Sequence, residues 1–353
     1  MEKILMKKEI PKFLEDLSQE YLTYGPIEKD GNILFDIIKN PDYLRLDFLN
    51  SKIPPKSVIF PQMETIFEYE KKDGNIIIKE PRNLEQKRLI FGIRPCDAYS
   101  FRLLETFFDF GDFKDNLYLR KRKNTILVGM GCNSPQNTCF CTSVNVHPFK
   151  DDDVDIFLVD LGDRYLITPI SDIGNNIVEQ MVWLNNANEN NLKKSIELSN
   201  KAESKIQTDI KIINNSKKLE DEYYNSIWKK LSESCLGCGT CAFLCPTCTC
   251  FDVLDDEDHY NGRGKRIRIW DTCQFPLYTL HTSGHNPRPT RIERCRNRIL
   301  HKFSYYPENY NLIGCVGCGR CIQYCPVNND LRVILNEFLE LDEEHKEEDI
   351  LVA

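Results

Sequence analysis

Eight of the sixteen cysteines in this 353-residue chain fall into two copies of one pattern, CxxCxxCxxxCP. The first copy is Cys235, Cys238, Cys241 and Cys245 before Pro246, and the second is Cys315, Cys318, Cys321 and Cys325 before Pro326. Two-residue gaps let one loop wrap a cubane and present three thiolates to three irons, while the fourth cysteine turns toward a neighbouring cluster. Each motif then completes the other's site. The spacing predicts one [4Fe-4S] cluster on Cys235, Cys238, Cys241 and Cys325, and a second on Cys315, Cys318, Cys321 and Cys245. Gly237, Gly239, Gly317 and Gly319 suit loops whose backbone must approach the sulfides and donate N–H bonds to them. Zinc would usually ask for two separated CxxC pairs or Cys/His pairs.

The remaining eight cysteines divide into an N-terminal and an insertion group. Cys96 follows the apolar run that starts at Leu89, and Cys132 follows the run that starts at Ile126. Both should sit at the carboxyl ends of neighbouring strands, where open α/β sheets place their sites. Cys139-Phe-Cys141 is too tight for an easy disulfide and can offer two thiolates to one cluster edge. Cys96, Cys132, Cys139 and Cys141 therefore predict a third [4Fe-4S] cluster, with free buried thiols or a structural zinc as the alternative. In the insertion, Cys248, Cys250 and Cys273, with His285 or Cys295 as fourth donor, are candidates for a further site. The alternative is that Cys248, so near Cys245, simply packs against the second cluster.

Composition fixes the setting. Hydrophobic residues make up 41% and charged residues 28%, which is ordinary for a globular protein, and the length suits two or three domains. A formal charge of -8 gives no electrostatic reason to expect a nucleic-acid partner. The chain has no run of 18 or more apolar residues, and its start lacks the apolar region and cleavage site of a secretory signal. The expectation is a cytoplasmic protein that is not integral to a membrane. Its cysteines would then stay reduced and serve as ligands.

Residues 1–175 read as an α/β or α+β domain, with buried strands expected at 32–38, 57–60, 88–93, 125–130 and 155–161. A helix should follow Pro95, with Asp97 as its cap. Residues 176–234 read as a helical connector, in which Met181, Leu184, Leu192, Ile196 and Leu198 give only a fair amphipathic pattern. Residues 235–330 read as a two-cluster, ferredoxin-like domain carrying a long insertion at 247–313, loop-rich and organised by metal. Leu331, Ile334, Leu335, Phe338 and Leu339 predict a closing helix within 331–353, followed by a solvated acidic tail. Gly129-Met-Gly131-Cys132-Asn-Ser134 follows a strand but lacks the third glycine of a dinucleotide turn, so it reads as a ligand turn. The basic stretch Arg288–Lys302 is expected to lie on a solvated face or pair internally, with a phosphate or a partner's carboxylates as the other possibility. No Walker, HExxH or GxSxG motif is present, nor any defensible flavin or nicotinamide pocket.

Several separated segments are familiar together: Pro54-Pro-Lys56, RPCDAYSFRLLET around Cys96, Cys139-Phe-Cys141, CPTCTCFDV from Cys245, WDTCQF from Trp270, SGHNPRPT from Ser283, RNRILHK from Arg296, and GCVGCGRC from Gly314. On these the chain resembles the beta subunit of cytoplasmic sulfhydrogenases and, more distantly, the [4Fe-4S] dicluster electron-transfer subunit of anaerobic sulfite reductases. The resemblance implies an iron–sulfur subunit that relays single electrons. It would stand between a partner that binds FAD and NAD(P) and a catalytic unit such as a nickel–iron hydrogenase or a sulfite reductase. Cys248, Cys250, Cys273 and His285 lie in family segments, whereas Cys295 stands where the family tends to be apolar. The competing expectation is a catalytic subunit that binds a sulfur compound at an incompletely ligated cluster in the insertion.

Overall fold

The computed structural model describes residues 1–81, 84–212, 216–258 and 260–341. In chain order its strands are β1 (Lys3–Met6), β2 (Leu22–Lys29), β3 (Asn32–Ile37), β4 (Met63–Lys72), β5 (Asn75–Lys79), β6 (Arg88–Ile93), β7 (Thr125–Met130), β8 (Ile156–Asp160), β9 (Arg164–Pro169), β10 (Asn185–Asn186), β11 (Phe251–Asp258) and β12 (Arg263–Trp270). An eight-stranded sheet runs in the order β10-β1-β9-β8-β7-β6-β2-β3. Its centre, β2, β6, β7 and β8, is parallel, and every residue of β6 and β7 is buried. Near-continuous apolar runs such as Leu89–Phe91 and Ile126–Val128 suit a parallel sheet covered on both faces. The cover includes α1 (Ile10–Ser18) against β2 and α2 (Pro95–Phe108) against β7, with α3 (Asn116–Lys123) beside α2 and α4 (Asp172–Gln180) and α5 (Glu189–Glu203) against β9.

Two expectations fail locally. Of the run at 57–60, Ile59 and Phe60 are essentially inaccessible and Ser57 and Val58 half-buried, yet Pro55–Val58 forms a 3₁₀ turn rather than a strand. Pro55 presets φ at the first position of the turn, and Ser57, Ile59 and Phe60 then donate their N–H groups locally, to the Pro54 and Lys56 carbonyls. The helix after β6 starts at Pro95, whose missing N–H costs nothing there, and extended Arg94 occupies the cap position. Asp97 points into the protein instead.

A second sheet, ordered β11-β12-β4-β5, joins residues on both sides of the boundary expected at 235. β12 pairs along β4 from Arg263 opposite Glu70 to Ile269 opposite Met63. The insertion is thus less loop-rich than its composition suggested. Alternating charge carries much of this pairing: Arg266 meets Asp255 at 2.8 Å, and buried Arg268 ion-pairs with Glu64 and Asp115.

The connector continues through α6 (Ser216–Asp221) and α7 (Ile227–Ser232) to the cysteine motifs, each of which ends in one helical turn, α8 (Thr240–Phe243) and α11 (Arg320–Gln323). Between them run α9 (Arg291–Leu300), a π-helical turn at His301–Tyr305, and α10 (Tyr306–Tyr310). α12 (Leu331–Leu339) closes the body, capped by the Asp330 side chain and burying Leu331, Ile334, Leu335 and Phe338. The acidic tail expected to be solvated lies outside the described residues. Helix α2 serves two cores: Ala98, Phe101 and Leu104 face the sheet, while Tyr99 and Leu103 pack with Trp228, Phe303 and Phe338 around the motifs. No described helix is long and apolar enough to cross a membrane.

One ion pair pins α2 to the second motif. Arg320 donates to both carboxylate oxygens of Asp97 at 2.7 Å and to the Ser51 carbonyl at 2.8 Å, and both charged side chains are fully buried. Removing one partner leaves the other charge buried and alone, which typically costs about 3–5 kcal/mol. The Asp97→Ala variant should lose stability on that scale in denaturant unfolding. A change below about 1 kcal/mol, the range of an exposed pair, would contradict the assignment.

Candidate iron–sulfur sites

The motif loops turn where glycine permits. Gly237, Gly239, Gly317 and Gly319 have φ of 67°, 75°, 62° and 74°, the left-handed region that side chains avoid. These turns aim backbone N–H groups at sulfur: Gly237 at Cys235 Sγ and Gly317 at Cys315 Sγ, both 3.4 Å, and Asn329 at Cys325 Sγ, 3.3 Å. One cavity is lined by Cys235, Cys238, Cys241 and Cys325. A second, enclosing about 310 Å³, is lined by Cys245, Cys315, Cys318 and Cys321. Each cavity draws three cysteines from one motif and at least one from the other. Cys321 also borders the first cavity, so the two share a wall.

The N-terminal cysteines meet at a third cavity. Cys96 follows β6 and Cys132 follows its parallel neighbour β7, both at the strands' carboxyl ends, and the loop from β7 to β8 brings Cys139 and Cys141. All four line a space of about 330 Å³, close to the volume of the Cys245/Cys315 cavity. Similar size and a four-thiol donor set make this cavity fit the group that the Cys245/Cys315 cavity fits. Cys318 borders it too, and Asn50 ties the two sides together, donating to the Cys318 carbonyl at 3.1 Å. Burial pushes the Cys139 thiol up to about 12 and raises Cys96, Cys132 and Cys141 as well. Cys315 is pushed up to about 11 by the same cause. Such thiols stay protonated until a metal takes the proton's place. Among the described residues no three His, Cys, Asp or Glu side chains converge as they would on a single ion.

The insertion cysteines behave differently. Cys248 sits at Arg298, whose Nη1 donates to its Sγ at 3.2 Å, and Cys250 lies beside Cys273. His285, expected as a fourth donor, is exposed, and its ring stacks edge-on to His281 at 5.4 Å. The structure does not bring it to Cys248, Cys250 and Cys273. Cys295 lines the first motif cavity. The basic stretch turns inward: Arg294, Arg296, Arg298 and Lys302 are all buried, and only Arg291 of the expected Arg291/Arg294/Arg298 face is exposed. Arg298 Nη2 donates to the Cys241 carbonyl at 2.7 Å, inside the first motif.

Residues 234–329 match the family model of a 4Fe-4S dicluster domain. A protein described as sulfhydrogenase 2 subunit beta, from Pyrococcus furiosus, is 31% identical over 336 residues, spanning 94% of this chain and 96% of its own length. This chain belongs to the sulfhydrogenase beta-subunit family. No solved structure matches it significantly. As a member of the sulfhydrogenase beta-subunit family with a dicluster domain, it carries [4Fe-4S] clusters and has an iron–sulfur electron-transfer role.

Sequence reasoning missed Asn50, the Asp97–Arg320 pair and Lys56, whose ammonium donates to the Cys248 carbonyl. Asp97 and Lys56 do lie in the family segments RPCDAYS and PPK, which was the available signal. It also missed how closely the Cys139 loop docks on the second motif. Phe140 N–H donates to Gly317 O at 2.9 Å, and a Cβ at Gly317 would lie 2.5 Å from the Cys141 backbone nitrogen. Gly317→Ala would have to push those backbones apart, a clash costing about 1–3 kcal/mol. In metal-free protein, alkylation of Cys139 and Cys141 should be slow at neutral pH, rise with pH, and become faster throughout in Gly317→Ala. Unchanged alkylation in the variant would show that the two loops do not depend on this contact.

Proposed function

We propose that this chain is the electron relay of a multi-subunit oxidoreductase and holds three [4Fe-4S] clusters in a row. The ligand sets are Cys96, Cys132, Cys139 and Cys141; then Cys245, Cys315, Cys318 and Cys321; then Cys235, Cys238, Cys241 and Cys325. The observation that carries the reading is the contiguity of the cavities, since Cys318 borders both the first and second of these sets and Cys321 both the second and third. When bound, the clusters supply one-electron carriers of tunable potential. The chain's own work is to hold them side by side, exclude water and present the ends of the row to partners. Cys238 is the only exposed cysteine of the sixteen, and Leu236 beside it is 60% exposed, so the last set marks one such end.

Two partners suit a relay of this family: one that binds flavin and NAD(P), and a catalytic metalloprotein of nickel–iron hydrogenase or sulfite reductase type. The chain then needs no substrate site. The test is iron and acid-labile sulfide per chain on anaerobically purified protein, with and without the Cys139→Ser substitution. Wild type should hold about twelve irons, three clusters of four, and Cys139→Ser about eight. About eight in wild type would remove the N-terminal cysteines from the relay.

A further inference from the structure

Lys56, Arg298 and Lys302 are buried, at 1%, 7% and 4% exposure, and none has a carboxylate partner among the described residues. Two cations buried away from the cysteines, Lys121 and Arg268, both meet Glu64. Arg298 and Lys302 line the motif cavities instead, and Lys56 lies beside them at Cys248. Lys302 Nζ donates to Thr247 Oγ1 at 2.8 Å and Gly314 O at 3.0 Å, and Thr247 Oγ1 is 3.3 Å from Cys245 Sγ. Arg298 reaches Cys248 Sγ and the Cys241 carbonyl, and Lys56 the Cys248 carbonyl. His301, next in chain to Lys302, is pushed down to about 4 by burial and then by Lys302 and Arg298, so it adds no charge of its own.

Isolated charges are not left in a low-dielectric interior without a counter-charge. Thiolates holding a cluster carry net negative charge, and reduction adds one unit more. A fixed cation beside them therefore favours the reduced state and raises the potential. The placement is selective. Lys302 lines only the cavity of Cys245, Cys315, Cys318 and Cys321, whereas Arg298 lines that cavity and the one of Cys235, Cys238, Cys241 and Cys325. At the N-terminal cavity Arg320 is cancelled by Asp97, buried Arg94 donates to the Gly131 and Phe48 carbonyls near Cys132 and Cys96, and neither Lys302 nor Arg298 lines that site.

We propose that Lys302 and Arg298 are the counter-charges of the motif clusters and hold their reduction potentials up, Lys302 acting on the middle cluster alone and Arg298 on both. The proposal rests on the relay reading above. It is tested on the full chain by an iron count followed by an EPR-monitored redox titration of wild type, Lys302→Met, Lys302→Arg and Arg298→Gln. With iron retained, Lys302→Met should move one signal to lower potential and leave the others in place. Lys302→Arg should restore that signal, and Arg298→Gln should lower two. Unmoved potentials in Lys302→Met and Arg298→Gln would overturn the proposal, as would a Lys302→Met shift that Lys302→Arg does not restore. If Lys302→Met fails to retain iron, Arg298→Gln decides by the same criterion. A wild-type chain without the two motif signals would instead sink the relay reading itself.

Discussion

The contact on which the arrangement depends is the close approach of two loops far apart in sequence, the Cys139-Phe-Cys141 loop and the turn at Gly317. Phe140 donates its backbone N–H to Gly317, and the space left by the missing Cβ lets the Cys141 backbone come in. The buried Arg320–Asp97 pair ties the same motif to α2, the helix that carries Cys96. A parallel sheet supplies the rigid platform, because Cys96 and Cys132 leave adjacent strands at their carboxyl ends. Without this docking the N-terminal cysteines would form a site of their own. With it, their cavity abuts the motif cavities.

The electrostatics follow from the burial. Thiols in closed, largely apolar surroundings resist ionisation, and arginine and lysine side chains resist burial unless something negative answers them. This chain places both kinds of group in one region, the second motif and the α9 segment that runs past it. Each set is costly alone, and together they suit a group that replaces thiol protons and carries negative charge. Carboxylates would neutralise the cations as well, but they would also neutralise the field that a cluster senses.

Much of this was legible in the sequence. Cysteine spacing is dictated by the geometry of the metal group, so the two motifs of the dicluster domain could be read directly. Strands β6, β7 and β8 could be read because parallel strands are apolar throughout, and α12 because its apolar residues keep helical spacing. What could not be read depended on distant partners. The run at 57–60 is as apolar as a strand, and only the two prolines before it argued for a turn. Asp97 looked like a cap because its true partner lies 223 residues away. The pairing of β12 with β4 has no local signal at all, since its charged rungs are complementary only across the sheet. The basic stretch read as a solvated face or as internally paired, because buried cations are rare, and for Arg298 and Lys302 the burial goes with the cavities they line.

The central claim is that the three cavities hold neighbouring clusters that form one row. The most direct measurement is the EPR spectrum of the fully reduced, anaerobic chain, compared with samples reduced only partly. Paramagnetic clusters this close must interact, so the account predicts broadened, spin-coupled spectra at full reduction that resolve into simpler signals when only one cluster carries an electron. A fully reduced spectrum equal to the plain sum of isolated signals would place the clusters apart and contradict the row.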